Sequence, residues 1–101
     1  MTAFLIVRAI VPEADRKAFD TWYEKEHLPD AKSAFKAISA QRGWCEEDPQ
    51  LHIAFYQFPN LARANEITES DEIKTMIAEF DRVWQERVVR SREVVEIRQS
   101  I

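Results

Sequence analysis

Glycine is almost missing: Gly43 is the only one in 101 residues. No glycine-rich loop is available to cradle a phosphate, so neither the dinucleotide fingerprint nor the P-loop is present. Cysteine is equally scarce. A single Cys45 excludes an intramolecular disulfide, and within Cys45-Glu46-Glu47-Asp48 it reads as a surface thiol rather than a nucleophile. The two histidines, His27 and His52, lie far apart in sequence, so zinc would have too few of its usual ligands. No run of apolar residues approaches the ~18 needed to span a bilayer. The opening Met1-Thr2-Ala3-Phe4-Leu5-Ile6-Val7-Arg8 has no basic segment before its apolar run and does not read as a secretory signal. A cytoplasmic protein without a membrane partner is expected. The formal net charge of -4 and a pI near 5.2 lack the basic surface that a general nucleic-acid binder needs to displace counterions.

Apolar and aromatic material is plentiful. Hydrophobic residues make up 46% of the chain and charged residues 32%, so the apolar side chains must be sorted onto faces. The length allows one domain. A domain this small buries only roughly 60–65% of its unfolded surface, and pairing with a second copy is one common way to bury more.

The segment from Phe4 to Val11, stopped by Pro12, is β-branched and apolar and reads as a central strand covered on both faces. Alternation puts Arg8 with Phe4, Ile6 and Ile10, where its guanidinium needs a partner. A helix is expected from about Glu13 to His27, with Ala18, Phe19, Trp22 and Tyr23 on one stripe. Pro29 should break it at Leu28, leaving Asp30 to Phe35 as a short further helical piece. Lys36 to Trp44 reads as a weak strand, with Gly43 and Asp48-Pro49 marking a hairpin connection. Leu51 to Phe58 is a strong strand ended by Pro59-Asn60. Helices are expected over Leu61 to Thr68 and from a Ser70 cap to about Glu86, the second with Ile73, Met76, Ile77, Phe80, Val83 and Trp84 aligned. Arg92 to Arg98 reads as an amphipathic last strand. The order βαββαβ is the ferredoxin-like α+β plan, an antiparallel sheet with helices on one face. Its bare face would be sticky in a monomer, so a homodimer with the two sheets face to face is expected.

The segment most informative about chemistry is Trp22-Tyr23-Glu24-Lys25-Glu26-His27-Leu28-Pro29. At 100° per residue Glu26 falls within the apolar stripe, where an unpaired carboxylate is costly. His27 lies beside Tyr23, and its unperturbed pKa suits proton transfer near neutrality. A carboxylate, an imidazole and a phenol beside large rings make a plausible pocket wall. The structural alternative pairs Glu26 with Arg8 and leaves His27 at a helix end. On the later strand His52 shares a face with Ala54, Tyr56 and Phe58. Tyr56 is a fair pocket residue, His52 more often a packed one, and Trp44 either covers a pocket mouth or closes the hairpin. Arg87, Arg90 and Arg92 read as a solvated basic edge, with an anion site as the alternative.

The pattern Trp-Tyr-x-x-Glu-His-x-Pro over residues 22–29, with this length and strand order, resembles the dimeric α+β barrel superfamily. Within it the segment is most similar to EthD-like proteins and their antibiotic-biosynthesis-monooxygenase relatives. The Phe58-Pro59-Asn60 turn and the late helix ending in Trp84 are similar too. The resemblance implies a barrel dimer with a cavity between each sheet and its helices. It also implies cofactor-free handling of aromatic or polyketide-like compounds. By position it implies Glu26 and His27 as the functional pair, flanked by Trp22 and Tyr23. The asparagine, tryptophan and histidine set of the haem-degrading branch is not placed here, and no haem is expected. The first reading is therefore an enzyme in which His27, assisted by Glu26, moves a proton. Trp22, Tyr23 and Tyr56 hold the ring, and Arg8 neutralises an anion. The alternatives are a non-catalytic dimeric binding module and a purely structural Arg8–Glu26 pair.

Overall fold

The computed structural model describes residues 1–101. Strand β1 (Ala3–Ile10) ends ahead of Pro12 and a 3-10 turn at Glu13–Asp15, which leads into α1 (Arg16–Trp22). A π turn, Tyr23–His27, joins α1 directly to α2 (Leu28–Phe35). Two strands follow, β2 (Ser39–Trp44) and β3 (Leu51–Phe58), then α3 (Leu61–Thr68) and α4 (Asp71–Trp84). A 3-10 turn at Gln85–Arg87 leads to β4 (Val89–Glu96). The sheet order is β2-β3-β1-β4 with every neighbour antiparallel, the ferredoxin-like arrangement expected.

Period-two alternation divides each strand between two environments. Leu5 and Ala9 of β1 and His52, Ala54, Tyr56 and Phe58 of β3 face the helices and are buried. Phe4, Ile6 and Arg8 point to the other side, which no helix covers, and are only half-buried. Within one chain the expected second covering layer over β1 is not supplied by the helices.

The core is dominated by rings. Phe19, fully buried, has the rings of Trp22, Tyr23, Trp44, His52, Phe80 and Trp84 around it at centroid distances of 5.1–6.2 Å. Side-chain caps start both later helices: Asn60 accepts from the Arg63 N–H at 2.8 Å and Ser70 from the Ile73 N–H at 3.2 Å.

Three boundaries differ from expectation. Pro29 does not end the helix but occupies the first turn of α2, where a missing N–H costs little. Lys36, in the left-handed region at φ 53°, ends it instead. Gly43 lies inside β2 opposite Ile53, and the turn is made at Asp48, whose carbonyl accepts from the Leu51 N–H at 3.0 Å. The last strand begins at Val89, earlier than expected, because Arg90 and Arg92 pair with Ala9 and Val7 of β1. The sequence reading starts this strand only at Arg92 and carries it to Arg98, beyond its end at Glu96.

The π turn alters the first helix most. Its Leu28 N–H bonds to the Tyr23 carbonyl, five residues back, which adds one residue to the turn. In an α-helix Glu26 would lie over Trp22 one turn on. Here His27 does, its ring stacked on the indole at 4.5 Å and 20°. Glu26 is rotated outward and exposed, as is Ala18 one turn before the π turn, so both depart from the expected stripe.

Phe19→Ala should cost about 3–5 kcal/mol in a urea unfolding titration, whereas Glu26→Ala should stay within about 0.5 kcal/mol. A large loss from Glu26→Ala would return its carboxylate to the core.

Candidate functional site

Between the sheet and α4 lies a cavity of about 30 Å³, room for about two water molecules. Its polar groups come from three elements: Tyr23 and His27 from the π turn, Tyr56 from β3, and Arg90 and Arg92 from β4. Phe35, Ile73, Met76 and Phe80 contribute to its apolar walls. The π turn is what delivers both of its own residues. Tyr23 and His27, four apart, meet edge to face at 4.8 Å, and each is buried.

The site holds its imidazole neutral. His27 is pushed down to about 4, first by burial and then by the nearby Arg90 guanidinium, with Glu79 acting weakly the other way. Its Nδ1 is buried and has no hydrogen-bond partner. The two phenols face each other, Tyr23 Oη and Tyr56 Oη lying 3.4 Å apart. Burial raises both; Tyr23 is pushed up to about 12. At neutral pH both phenols therefore keep their protons and can donate.

His52 lies behind Tyr23, at 4.5 Å between ring centroids, and not on the cavity wall. The Arg42 Nη1 stands 3.3 Å from His52 Nε2. Arginine can only donate, so Nε2 accepts and Nδ1 carries the hydrogen. That Nδ1 is buried without an acceptor. His52 is likewise lowered to about 4, by burial first and by Arg42 second. Arg42 Nη1 also donates to Asp20 Oδ1 at 2.8 Å, as does Trp44 Nε1 at 2.8 Å, so Trp44 ties β2 to α1. Asp20 is lowered from its ordinary value by the Trp44 bond and then by the Arg42 bond. This cluster braces Tyr23 from the far side.

Of the residues expected in the site, the structure brings together Tyr23, His27 and Tyr56 on one wall, with Trp22 stacked beneath His27. It does not bring in Glu26 or Arg8. Glu26 borders a shallow depression on the outside of the first helix, among Lys17, Thr21 and Lys25. Arg8 is on the open face of the sheet, where its Nε donates to Glu93 Oε1 at 2.6 Å. The Arg8–Glu26 pair therefore does not form, and it cannot be what fixes the motif. Arg90, expected on a solvated edge, has a side chain only 16% exposed and stands over the Phe80 ring at 4.1 Å. The usable signal for it was alternation: Arg90, Arg92 and Val94 share one strand face.

No protein-family model matches the sequence, and no curated protein does. Solved structures do match. The fold is shared with EthD-like and antibiotic-biosynthesis-monooxygenase-like proteins. An ethyl tert-butyl ether D (EthD) family protein from Bacillus halodurans superposes with a TM-score of 0.75 at 16% identity, covering 96% of this chain and 99% of its own. A protein from Deinococcus radiodurans, provisionally assigned as an antibiotic biosynthesis monooxygenase, gives 0.72 at 7% identity, with 98% and 95% covered. SnoaB, a cofactor-independent oxygenase from Streptomyces nogalater, gives 0.66 at 6% identity, with 99% and 96% covered. At these identities the likeness is one of architecture.

The buried histidines make stability depend on pH. Each binds a proton in the unfolded chain near its ordinary 6.5 but in the folded chain only near 4. Between those values the unfolded state holds more protons, so stability falls as pH falls, by about 3 kcal/mol for each histidine, and levels off below about pH 4. Urea midpoints measured from pH 7 downward should drop through that window. A midpoint unmoved between about pH 6.5 and pH 4 would show that neither ring is held neutral.

Proposed function

We propose that this protein is a small-molecule enzyme of the EthD-like and monooxygenase-like kind. It acts on an aromatic or polyketide-like compound, without a cofactor, in the cavity between sheet and helices. The observation that carries this reading is His27: a buried, neutral imidazole at the cavity wall, beside two protonated phenols and above an indole. A neutral imidazole accepts a proton, although one held near 4 is a weak base in the empty site. An anion formed beside it offsets the cost of the imidazolium, so His27 takes a proton from a phenol or an activated C–H of the substrate. Of the Tyr23–Tyr56 pair, the hydroxyl that does not donate to the other donates to the oxygen that gains charge. Removing that proton leaves an electron-rich anion, a starting point for isomerisation or for reaction with dioxygen. The described activity of SnoaB supports the second course. Glu26, exposed on the outer face, has no part in the step, and neither has Arg8.

The cavity is too small for a ring in its present form, since even benzene needs a space of roughly 150 Å³. Binding therefore requires the wall formed by Ile73, Met76 and Phe80 of α4 to move outward. The small volume also favours a second reading, a non-catalytic module that takes only a tightly matched metabolite.

The open face of the sheet supports a homodimer. Phe4, Ile6, Phe55 and Val95 line an apolar groove there, and Ile10 and Val89 at its end are 41% and 67% exposed. Two copies packed face to face would cover this surface and leave the His27 cavity of each subunit on the helix side.

Turnover of an aromatic hydroxy- or keto-compound by the purified chain in air tests the enzyme reading, and His27→Ala should lower it roughly 10²–10⁴-fold with the fold intact. Unchanged turnover would remove His27 from the chemistry, and ligand binding without any turnover would favour the binding module. Phe55→Glu should convert the dimer to a monomer in light scattering. A wild-type chain already monomeric at high concentration would end the dimer proposal.

A further inference from the structure

We infer that the compound this cavity takes is a ring-bearing carboxylate, with Arg90 and Arg92 as the groups that read its charge. The inference rests on the ligand site proposed above and adds the chemical class of its occupant.

The cavity differs in charge from the protein around it. The chain carries a net charge of -4, yet the cavity wall contains two arginines and no aspartate or glutamate. Register explains how they arrive there. Arg90 and Arg92 lie opposite Ala9 and Val7 of β1, on the strand face that looks toward the helices. Both border the cavity, Arg90 with its guanidinium over the Phe80 ring and Arg92 at the exposed side.

Neither arginine is used up by the protein. Arg90 has five N–H donors, and a single one of them has a protein acceptor, Asp81 Oδ1 at 2.6 Å from Nη2. Asp81 is itself 57% exposed, so this bond sits at the rim and faces water. The rest of the Arg90 head is held over the Phe80 ring with its side chain mostly out of solvent. A guanidinium kept in such a place stays charged, and its unspent donors are strong ones. Arg92 is exposed at the same wall and makes no hydrogen bond or ion pair. Arg8, Arg42, Arg63, Arg82, Arg87 and Arg98 each have a carboxylate within 3.0 Å, as Arg90 has in Asp81, whereas Arg92, like Arg16 at the far end of the first helix, has none.

The remaining polar groups agree. The Tyr23 and Tyr56 hydroxyls are protonated donors, and His27 is uncharged. With two cations and no acid on its wall, the site lacks a partner for a ligand cation and offers several for an anion. A carboxylate matches the planar fork of a guanidinium with two parallel bonds. The Phe35, Phe80 and Met76 walls suit a flat apolar body. An incoming carboxylate would compete with Asp81 for Arg90 and find Arg92 free.

Titration of the full-length chain with benzoate and with the neutral, near-isosteric benzamide tests this, followed by NMR at the Trp22 indole and the Arg90 Nε–H. Benzoate should bind roughly tenfold or more tightly than benzamide. Arg90→Gln and Arg92→Gln should each weaken benzoate several-fold more than benzamide, so that the preference for the anion shrinks. Arg92 is exposed and makes no side-chain hydrogen bond or ion pair, so Arg92→Gln remains a fair test even if Arg90→Gln does not fold. Equal affinity for benzoate and benzamide would overturn the inference while leaving the ligand site standing. Benzoate binding unchanged in Arg92→Gln and in any folded Arg90→Gln would overturn it too. If neither probe perturbs the site, the carboxylate inference and the ligand site fall together.

Discussion

A single widened helical turn sets the geometry on which the cavity depends. In the π turn Tyr23–His27 the Leu28 N–H reaches back five residues to Tyr23. This advances every later residue by one position around the helix, roughly 100°. His27 takes the inward place over Trp22 that Glu26 would otherwise hold. Pro29 gives a reason for the turn to form here. In an unbroken α-helix its ring would press on the carbonyl of residue 25, to which it could donate nothing. The wider turn comes just ahead of the proline and lets the chain continue as α2.

The consequences for energy are opposite for the two side chains. Turned inward, a lone carboxylate would have needed a cationic partner, and Arg8 is committed to Glu93 on the far side of the sheet. An imidazole can enter the core by giving up its proton, at a smaller cost. The aromatic core then favours the neutral ring by stacking, with Trp22 below His27 and Tyr23, Phe80 at its edges. The same surroundings hold His52 neutral, so the fold keeps two uncharged imidazoles in one ring cluster centred on Phe19.

Against this apolar and uncharged background the two arginines of β4 stand out. Burial lowers Arg90 from its ordinary value, with Asp81 opposing the shift. The cavity is thus built from neutral donors on the π turn and β3 and from cations on β4. On its helix side the cavity is walled by Ile73, Met76 and Phe80 of α4, which meets the sheet through side chains and not through backbone hydrogen bonds.

By itself the sequence determined the element order, the ferredoxin-like sheet and the side of β3 on which His52, Tyr56 and Phe58 lie. These follow from local alternation, helical periodicity and stop signals such as Pro12, Pro59 and the Ser70 cap, which need no knowledge of distant residues. The sequence also marked Trp22, Tyr23 and His27 as neighbours on one helix. What it could not determine was which of Glu26 and His27 faces inward, because a wheel drawn at 100° assumes that no residue is added to a turn. Nor did it show where Arg8, Arg90 and Arg92 point their charges. A charged residue in a strand reads as solvated until its cross-strand partners are known. Only the pairing of β4 with β1, between residues more than 80 apart, put two of these arginines into the cavity and left Arg8 outside. Local pattern decides what a segment becomes, and tertiary register decides what its side chains meet.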